Sequence, residues 1–311
     1  MTSERRPFRF GMQARGGTTA AEWLATARQA EELGFSTIQI FDHFVHGLGP
    51  VAALAAAAMA TRTVRLGSFV FANDYRHPVL LAQEAATVDQ LSDGRLELGL
   101  GAGWDRAEYT AAGLPFDPPG QRIARLEEAI QIVKRLWTEE GVTTAGEHYA
   151  VTDLTLAVRP VQRPHPPILI GGGGQRLLEL GGRHADIVGL APRAFPDGSL
   201  DPTSITAQAT ARKLGWIRAA AASRPICPEI NVYVYAVEIT DDAPAAAERL
   251  TEGFELPANE ILTSPHTLIG TIEEIVETLH QRRERDGITY ITVGSHLADV
   301  LAPVVTRLAG T

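Results

Sequence analysis

The chain has 311 residues, of which 45% are hydrophobic and 21% charged, and its formal net charge is -9. These values are typical of a globular protein, and no apolar run reaches the roughly 18 residues that a membrane span needs. Because an acidic chain repels a phosphate backbone at long range, nucleic acid is excluded as an expected partner.

Short apolar runs alternate with helical patterns along the whole chain. Strands are predicted at Phe8 to Gln13, Thr37 to Asp42, Val64 to Phe71, Arg95 to Leu100, Pro167 to Ile170, Ala185 to Leu190, Glu229 to Ile239 and Gly287 to Val293. Helices are predicted at Thr19 to Leu33, Pro50 to Ala60, Pro78 to Leu91, Arg122 to Trp137, Gln175 to His184, Ser204 to Ala222, Thr271 to Arg285 and His296 to Leu308. Runs that are apolar throughout indicate parallel strands covered on both faces.

Local signals support several of these elements. Thr18 or Thr19 can cap the first helix, and the helix Arg122 to Trp137 carries its apolar residues at spacings of three and four. The stretch Val142 to Val158 alternates and turns at Ala145-Gly146, which predicts a hairpin inside an insertion of about residues 138–166.

The number of elements decides between fold classes. A chain of this length can form one α/β barrel or two domains. Eight strands that alternate with helices favour a single (β/α)8 TIM barrel over an open doubly wound sheet, with the hairpin inserted between the fourth helix and the fifth strand. One domain is therefore expected to cover residues 1–311.

The composition also bounds the cellular setting and the metal chemistry. Cys227 is the only cysteine, so neither an internal disulfide nor a cysteine-based zinc site can form. No apolar stretch of signal-peptide length follows the amino terminus, and a cytoplasmic protein is expected. His43, His46 and His77 lack the helical i, i+4 spacing of a metal site, so no metal is expected.

The second predicted strand ends on Asp42 and His43, and strand ends are where repeating strand-helix folds collect their chemistry. The alternative is a loop aspartate that caps the next turn beside a solvated histidine. Ser68 and Ser295 lack the G-x-S-x-G surround of a nucleophile elbow. An acid-base histidine beside a cofactor is the interpretation that remains.

Two glycine clusters follow predicted strands. Gly99, Gly101 and Gly103 come after the fourth strand and lead into a loop, whereas a Rossmann fingerprint follows the first strand and opens directly into a helix. Close approach of the backbone to a flat or anionic ligand, or a tight turn, are the interpretations that remain. Gly171 to Gly174 precede a helix, which indicates a phosphate site; a flexible connection is the alternative.

These motifs, taken together and in order, carry a family resemblance. The sequence resembles the bacterial-luciferase-like superfamily of flavin and deazaflavin oxidoreductases, and more closely its branch that uses coenzyme F420. The likeness rests on four segments: Glu31 to Phe44, Val64 to Trp104, Ile168 to Gly174 and Leu268 to Leu279.

The resemblance implies a cofactor ring lying across the carboxyl ends of the strands, with His43 moving a proton beside it and Asp42 assisting. It implies a non-proline cis peptide at about Phe69-Val70. The residues implied to bind the cofactor are Asp42, Phe69, Val70, Asn73, Gly101, Ala102, Gly103, Gly171, Gly172, Gly173 and Gly174; those implied to line the substrate pocket are Met12 and Trp104.

Trp104 departs from the pattern of this branch. It stands where the sugar-phosphate dehydrogenases of the branch carry an acidic residue. The expected function is hydride transfer between coenzyme F420 and a small organic substrate that is not strongly charged. A monooxygenase that uses reduced FMN and a non-catalytic flavin-binding barrel are the alternatives, and a homodimer is left open.

Overall fold

Parallel strands that alternate with helices close into a barrel. The computed structural model describes residues 6–14, 17, 19–195, 197 and 199–311. Its strands are β1 (Arg9–Ala14), β2 (Thr37–Ile40), β3 (Arg65–Ser68), β4 (Phe71–Ala72), β5 (Leu96–Gly101), β6 (Val142–Ala145), β7 (Ala150–Leu154), β8 (Ile168–Gly172), β9 (Ile187–Leu190), β10 (Arg193–Ala194), β11 (Leu200–Asp201), β12 (Glu229–Val234), β13 (Ala236–Ile239), β14 (Thr267–Gly270) and β15 (Ile288–Gly294).

Helices separate the barrel strands along the chain. They are α1 (Ala20–Glu32), α2 (Pro50–Ala60), α3 (Pro78–Leu91), α4 (Arg106–Ala111), α5 (Pro119–Thr138), α6 (Gln175–His184), α7 (Ala207–Ala220), α8 (Ala243–Phe254), α9 (Ala258–Thr263), α10 (Ile272–Asp286) and α11 (Ala298–Leu308). Short 3-10 helices cover Asn73–Tyr75, Pro202–Ile205 and Ser295–Leu297. No helix in the described ranges is both long and apolar enough to cross a membrane.

The barrel follows the order of the chain. Its strands run β1, β2, β3, β5, β8, β9, β12 and β15, and β15 pairs with β1 to close the ring. Every one of these pairings is parallel. Met12 of β1, for example, lies opposite Ile38 of β2 on one side and Val293 of β15 on the other. The predicted single (β/α)8 barrel is confirmed, and all eight carboxyl ends open on one rim.

Apolar side chains account for the helix positions. α5 buries Leu126, Ile130, Val133 and Trp137, the face that its sequence spacing predicts. The indole nitrogen of Trp137 donates to the Ala82 carbonyl oxygen at 2.9 Å, so the large ring is buried with its polar atom satisfied. Thr19 caps α1 in a capping box, whereas Thr18 lies outside the described residues.

Three features lie outside the eight-stranded ring. β6 and β7 form the predicted antiparallel hairpin between α5 and β8. β10 and β11 form a second short antiparallel ribbon after β9. The predicted strand Glu229 to Ile239 is wrong as one element, because it divides at Tyr235 into barrel strand β12 and strand β13, which pairs with β14 instead.

The third barrel strand is interrupted where the resemblance implied it. The peptide bond between Phe69 and Val70 is cis, as predicted, and separates β3 from β4. The amide nitrogen Nε2 of Gln13 donates to the Phe69 carbonyl oxygen at 2.6 Å. β4 then pairs with β5 through Phe71 and Ala72, so the interruption lies on the rim.

Candidate active site

A cavity of about 350 Å³ opens at the carboxyl ends of the barrel strands. Its wall comes from residues after β2, around β4, after β5, and after β8 and β9. The predicted site residues that line it are Asp42, His43, Phe69, Val70, Gly101, Ala102, Gly103, Trp104, Gly171, Gly172, Gly173 and Gly174. The fold therefore brings residues from four separate loops to one place.

Two predicted site residues do not line this cavity. Met12 has no exposed surface and packs in the hydrophobic core, and its predicted contact with a substrate stays a prediction. Asn73 is also buried, and its amide nitrogen Nδ2 donates to the Tyr149 hydroxyl at 3.3 Å. Asn73 therefore connects the 3-10 helix after β4 to the inserted hairpin.

His43 is held by a carboxylate that the sequence interpretation did not include. Its ring nitrogen Nδ1 lies 2.9 Å from Oε2 of Glu108, a residue of α4 that is 5% exposed. Asp105 starts this helix, since its side chain accepts hydrogen bonds from the backbone of Ala107 and Glu108. With Nδ1 engaged, Nε2 is the ring nitrogen left available to the cavity.

Two aromatic side chains complete the setting of this pair. The Tyr75 hydroxyl donates to Glu108 Oε2 at 3.4 Å, and burial, together with the charges of Glu108 and Asp42, raises the pKa of Tyr75. Trp104 lies edge-on to His43, with ring centroids 5.8 Å apart. His43 thus has a fixed carboxylate on one side and an apolar wall on another.

Asp42 has a different environment from His43. Its carboxylate accepts two hydrogen bonds from Arg76, at 2.5 and 3.1 Å, and one from the Ala72 backbone at 3.1 Å. A bidentate pair of this kind fixes both side chains. Asp42 therefore positions the segment after the cis peptide, and its predicted part in catalysis or cofactor contact stays a prediction.

The same contacts account for a group of potential metal ligands around His43. Ligand atoms of His43, Asp105 and Glu108 lie within 4.8 Å of one another. Glu108 is hydrogen-bonded to His43, and Asp105 caps α4. Both carboxylates thus have a role in positioning the histidine.

Gly101 at the end of β5 and Gly171 in β8 allow close packing at the rim. A Cβ on Gly101 would lie 2.6 Å from Cγ2 of Val70, and one on Gly171 would lie 2.8 Å from Cγ1 of the same side chain. Gly103 adopts a φ of 76°, which favours glycine, and the Tyr109 ring fills the space beside it. Val70 therefore packs between the ends of β5 and β8, and its predicted contact with the cofactor stays a prediction.

Arg122 of α5 holds the loop that follows β5. Its guanidinium is buried and donates to the Ala102 carbonyl at 3.0 Å and to the Gly103 carbonyl. Burial lowers the pKa of Arg122. The sequence did not predict a role for Arg122. Its guanidinium group holds the backbone of Ala102 and Gly103, which lines the cavity.

The glycine run from Gly171 to Gly174, called the anion cradle here after its predicted ligand, leads from the end of β8 into α6. Gly174 is the N-cap of this ten-residue helix, and a Cβ there would meet no atom within 4 Å. At Gly173 a Cβ would collide with the backbone of Pro192, and at Gly172 with the side chain of Leu177. The run is therefore packed from behind and open at Gly174, where the helix N-H groups favour an anion.

Comparison with known proteins shows which family the sequence matches. The sequence profile of the family described as "Luciferase-like monooxygenase" matches residues 6–286. An F420-dependent glucose-6-phosphate dehydrogenase from Kineococcus radiotolerans is 38% identical over 189 residues, which are 58% of this chain and 55% of that protein. An FMNH(2)-dependent dimethylsulfone monooxygenase from Pseudomonas putida is 36% identical over 109 residues, 35% of this chain and 30% of that protein.

A solved structure extends the likeness to almost the whole chain. Monooxygenase RslO1 from Streptomyces bottropensis superposes with a TM-score of 0.72 at 27% identity, covering 96% of this chain and 97% of the other. The alignments to the two curated relatives are shorter and span 55% and 30% of their lengths.

Proposed function

The chain belongs to the luciferase-like monooxygenase family, and from this premise we propose that it is a coenzyme F420-dependent oxidoreductase. The proposed reaction is hydride transfer between the deazaflavin and a small organic substrate without strong charge. The observation that carries the proposal is that one cavity is lined both by His43, whose ring Glu108 holds from outside the lining, and by the open anion cradle at Gly174.

The residues present fit such a cofactor. Val70 and the backbone of Gly101 to Gly103 would hold the flat ring, and Gly171 to Gly174 would hold its phosphate. When bound, coenzyme F420 supplies a ring carbon that accepts or releases a hydride. The protein then has to supply orientation, a proton and shielding from water.

His43 is the residue proposed to move the proton. Glu108 accepts at Nδ1, so Nε2 is directed to act on a substrate oxygen: it takes the proton when an alcohol is oxidised and returns it in the reverse direction. Glu108 stabilises the imidazolium that forms and keeps the ring in the required orientation. Both directions use the same pair.

The wall of the cavity supports the proposed substrate class. Its two described arginines are already engaged: Arg122 donates to backbone carbonyls, and Arg193 pairs with Asp201 at 2.8 Å. Trp104 and Phe41 add apolar surface. A neutral alcohol, aldehyde or ketone fits this wall better than a sugar phosphate, which needs a free cation.

The second candidate is a monooxygenase that uses reduced FMN. It is favoured by the likeness to the Pseudomonas putida enzyme and by the same phosphate cradle, which does not distinguish the two cofactors. A non-catalytic flavin-binding barrel is the third alternative. The His43-Glu108 pair argues against it, because a storage protein has no use for an oriented histidine at the ring.

One pair of assays separates these alternatives. Oxidised coenzyme F420 is incubated with the enzyme and a panel of small primary and secondary alcohols, and loss of the deazaflavin absorbance is followed. In parallel, reduced FMN is supplied and enzyme-dependent oxygen uptake is measured with the same panel. We expect the deazaflavin absorbance to fall with F420 and no oxygen uptake with FMN. Substrate-dependent oxygen uptake with FMN, without any reaction of F420, would instead support the monooxygenase.

The phosphate cradle has its own prediction. Gly174→Asp places a carboxylate at the open N-cap, where it suits the helix but repels a bound phosphate. We expect cofactor binding to weaken by about 1 to 3 kcal/mol with no loss of thermal stability. Isothermal titration and a melting curve measure the two quantities.

Gly49→Asp is the matched control, because Gly49 is the N-cap of α2 and a Cβ there also meets no atom within 4 Å. It is expected to leave cofactor affinity unchanged. Equal effects of the two variants, or none at Gly174, would put the phosphate elsewhere. Larger residues at Gly172 or Gly173 test the site less cleanly, since both positions are packed against protein.

A further inference from the structure

A buried lysine lies directly behind the anion cradle. Lys213 of α7 is 2% exposed, and its ammonium nitrogen Nζ donates to the Ala191 carbonyl oxygen at 2.7 Å. In the part of the chain that the structure describes, no carboxylate lies within ion-pair distance of Nζ. Buried ammonium groups are normally paired, so this cation is unusual.

The charged groups around Lys213 do not neutralise it. Burial lowers its pKa to about 8, the Asp201 carboxylate opposes that effect, and Arg193 adds to it. Asp201 is itself engaged by Arg193 at 2.8 Å. His266, which also interacts electrostatically with Lys213, is neutral because burial lowers its pKa to about 3.

One peptide group connects Lys213 to the glycine run. The Ala191 oxygen that accepts from Lys213 lies 2.5 Å from the position of a Cβ on Gly173. On the other side of the same residue, the Ala191 backbone nitrogen donates to the Gly172 carbonyl at 3.0 Å. The Ala191 backbone thus contacts both the ammonium group and the glycine run.

We infer that Lys213 is the positioning residue that supplies the fixed positive charge for the anionic group held at Gly171 to Gly174, acting through the Ala191 peptide. The inference rests on the proposed deazaflavin site and adds the source of its selectivity for a phosphate. A buried cation is weakly screened, so its attraction for an anion across one peptide group is strong. The ligand's phosphate would provide the counter-charge that the protein lacks at this place.

The pH dependence of the wild-type protein tests this directly. Affinities are measured at pH 7 and pH 9.5 for coenzyme F420 and for the deazaflavin that carries the same ring and ribityl chain without the phosphate. A phosphodiester keeps its charge over this range, whereas Lys213 loses its proton. The ratio of the two affinities is expected to fall about tenfold, and ring ionisation cancels in the ratio.

Substitution gives a second readout. At pH 7, Lys213→Met should weaken F420 binding about tenfold and leave the affinity for the phosphate-free deazaflavin unchanged. The ratio of the two affinities should then no longer depend on pH. Lys213→Arg should retain most of the affinity for F420. Lys134→Met is the matched control: Lys134 also donates to one carbonyl, that of His184 at 2.7 Å, and burial lowers its pKa too. It lies outside the cavity lining and should change nothing.

The outcomes are distinct. A Lys213→Met ratio equal to that of the wild type would overturn the role of Lys213 and leave the deazaflavin site standing. Failure of the wild type to bind either deazaflavin would overturn the proposed function, and this inference with it. If Lys213→Met does not fold, Lys213→Gln is measured in its place, and an unchanged ratio in that variant would overturn the role equally.

Discussion

Turnover is expected to fall by about 10²- to 10⁴-fold when His43 is replaced by Asn or Ala, while cofactor affinity stays within a few-fold. The reason is that Nδ1 of His43 is engaged by Glu108 and Nε2 is left to move the substrate proton. Steady-state kinetics and a cofactor titration on the same preparation measure the two effects. Their separation is what identifies a proton-transfer role.

His46→Asn is the control for this substitution, because His46 is an exposed neighbour whose ring centroid is 5.9 Å from that of His43. It should retain wild-type turnover. The loss in the His43 variants should shrink at low pH if solvent acid reaches the ring. Full turnover in His43→Ala would assign the proton to another group, and a pH-independent loss would indicate displaced substrate or cofactor.

Glu108→Gln is expected to lower turnover by roughly 10- to 100-fold, the second-largest effect. The amide keeps the size of the side chain but removes the charge that stabilises the imidazolium and orients its ring. The measurement is kcat, together with KM and cofactor affinity on the same preparation; the latter two are expected to stay within a few-fold.

Glu128→Gln is the matched control for Glu108, since Glu128 accepts from the backbone of His148 and Tyr149 and lies outside the cavity lining. Its kcat should match the wild type. If Glu108→Gln retains the wild-type kcat, His43 acts without help from this carboxylate, and the contact is only structural.

The barrel could be predicted from sequence because its strands are short apolar runs separated by regular helices. α2, α3 and α6 have the predicted bounds, since Pro or Gly marks each start and an apolar pattern fills each interior. The region between β13 and α10 was left unassigned. There α8 and α9 precede β14, which pairs with β13 outside the barrel, and no local period indicates that pairing.

Site residues could be predicted from the sequence only where they come directly after one barrel strand. His43 and the glycine run each follow one strand directly, so their position at the rim follows from the barrel. Glu108 and Lys213 were missed because their partners, His43 and Ala191, are 65 and 22 residues away. The Asp105-x-x-Glu108 spacing was a helix-start signal that could have indicated α4. Met12 and Asn73 came from resemblance alone, and packing takes both away from the cavity.

Titration of the purified protein with coenzyme F420 and with FMN, under identical conditions, tests the central claim most directly. The cradle proposed at Gly174 would suit the phosphate of either molecule, so the comparison tests the cavity's preference between the two whole cofactors. The proposed function predicts that F420 binds at least tenfold more tightly, a difference of about 1.4 kcal/mol. Tighter binding of FMN, or no binding of F420, would contradict it.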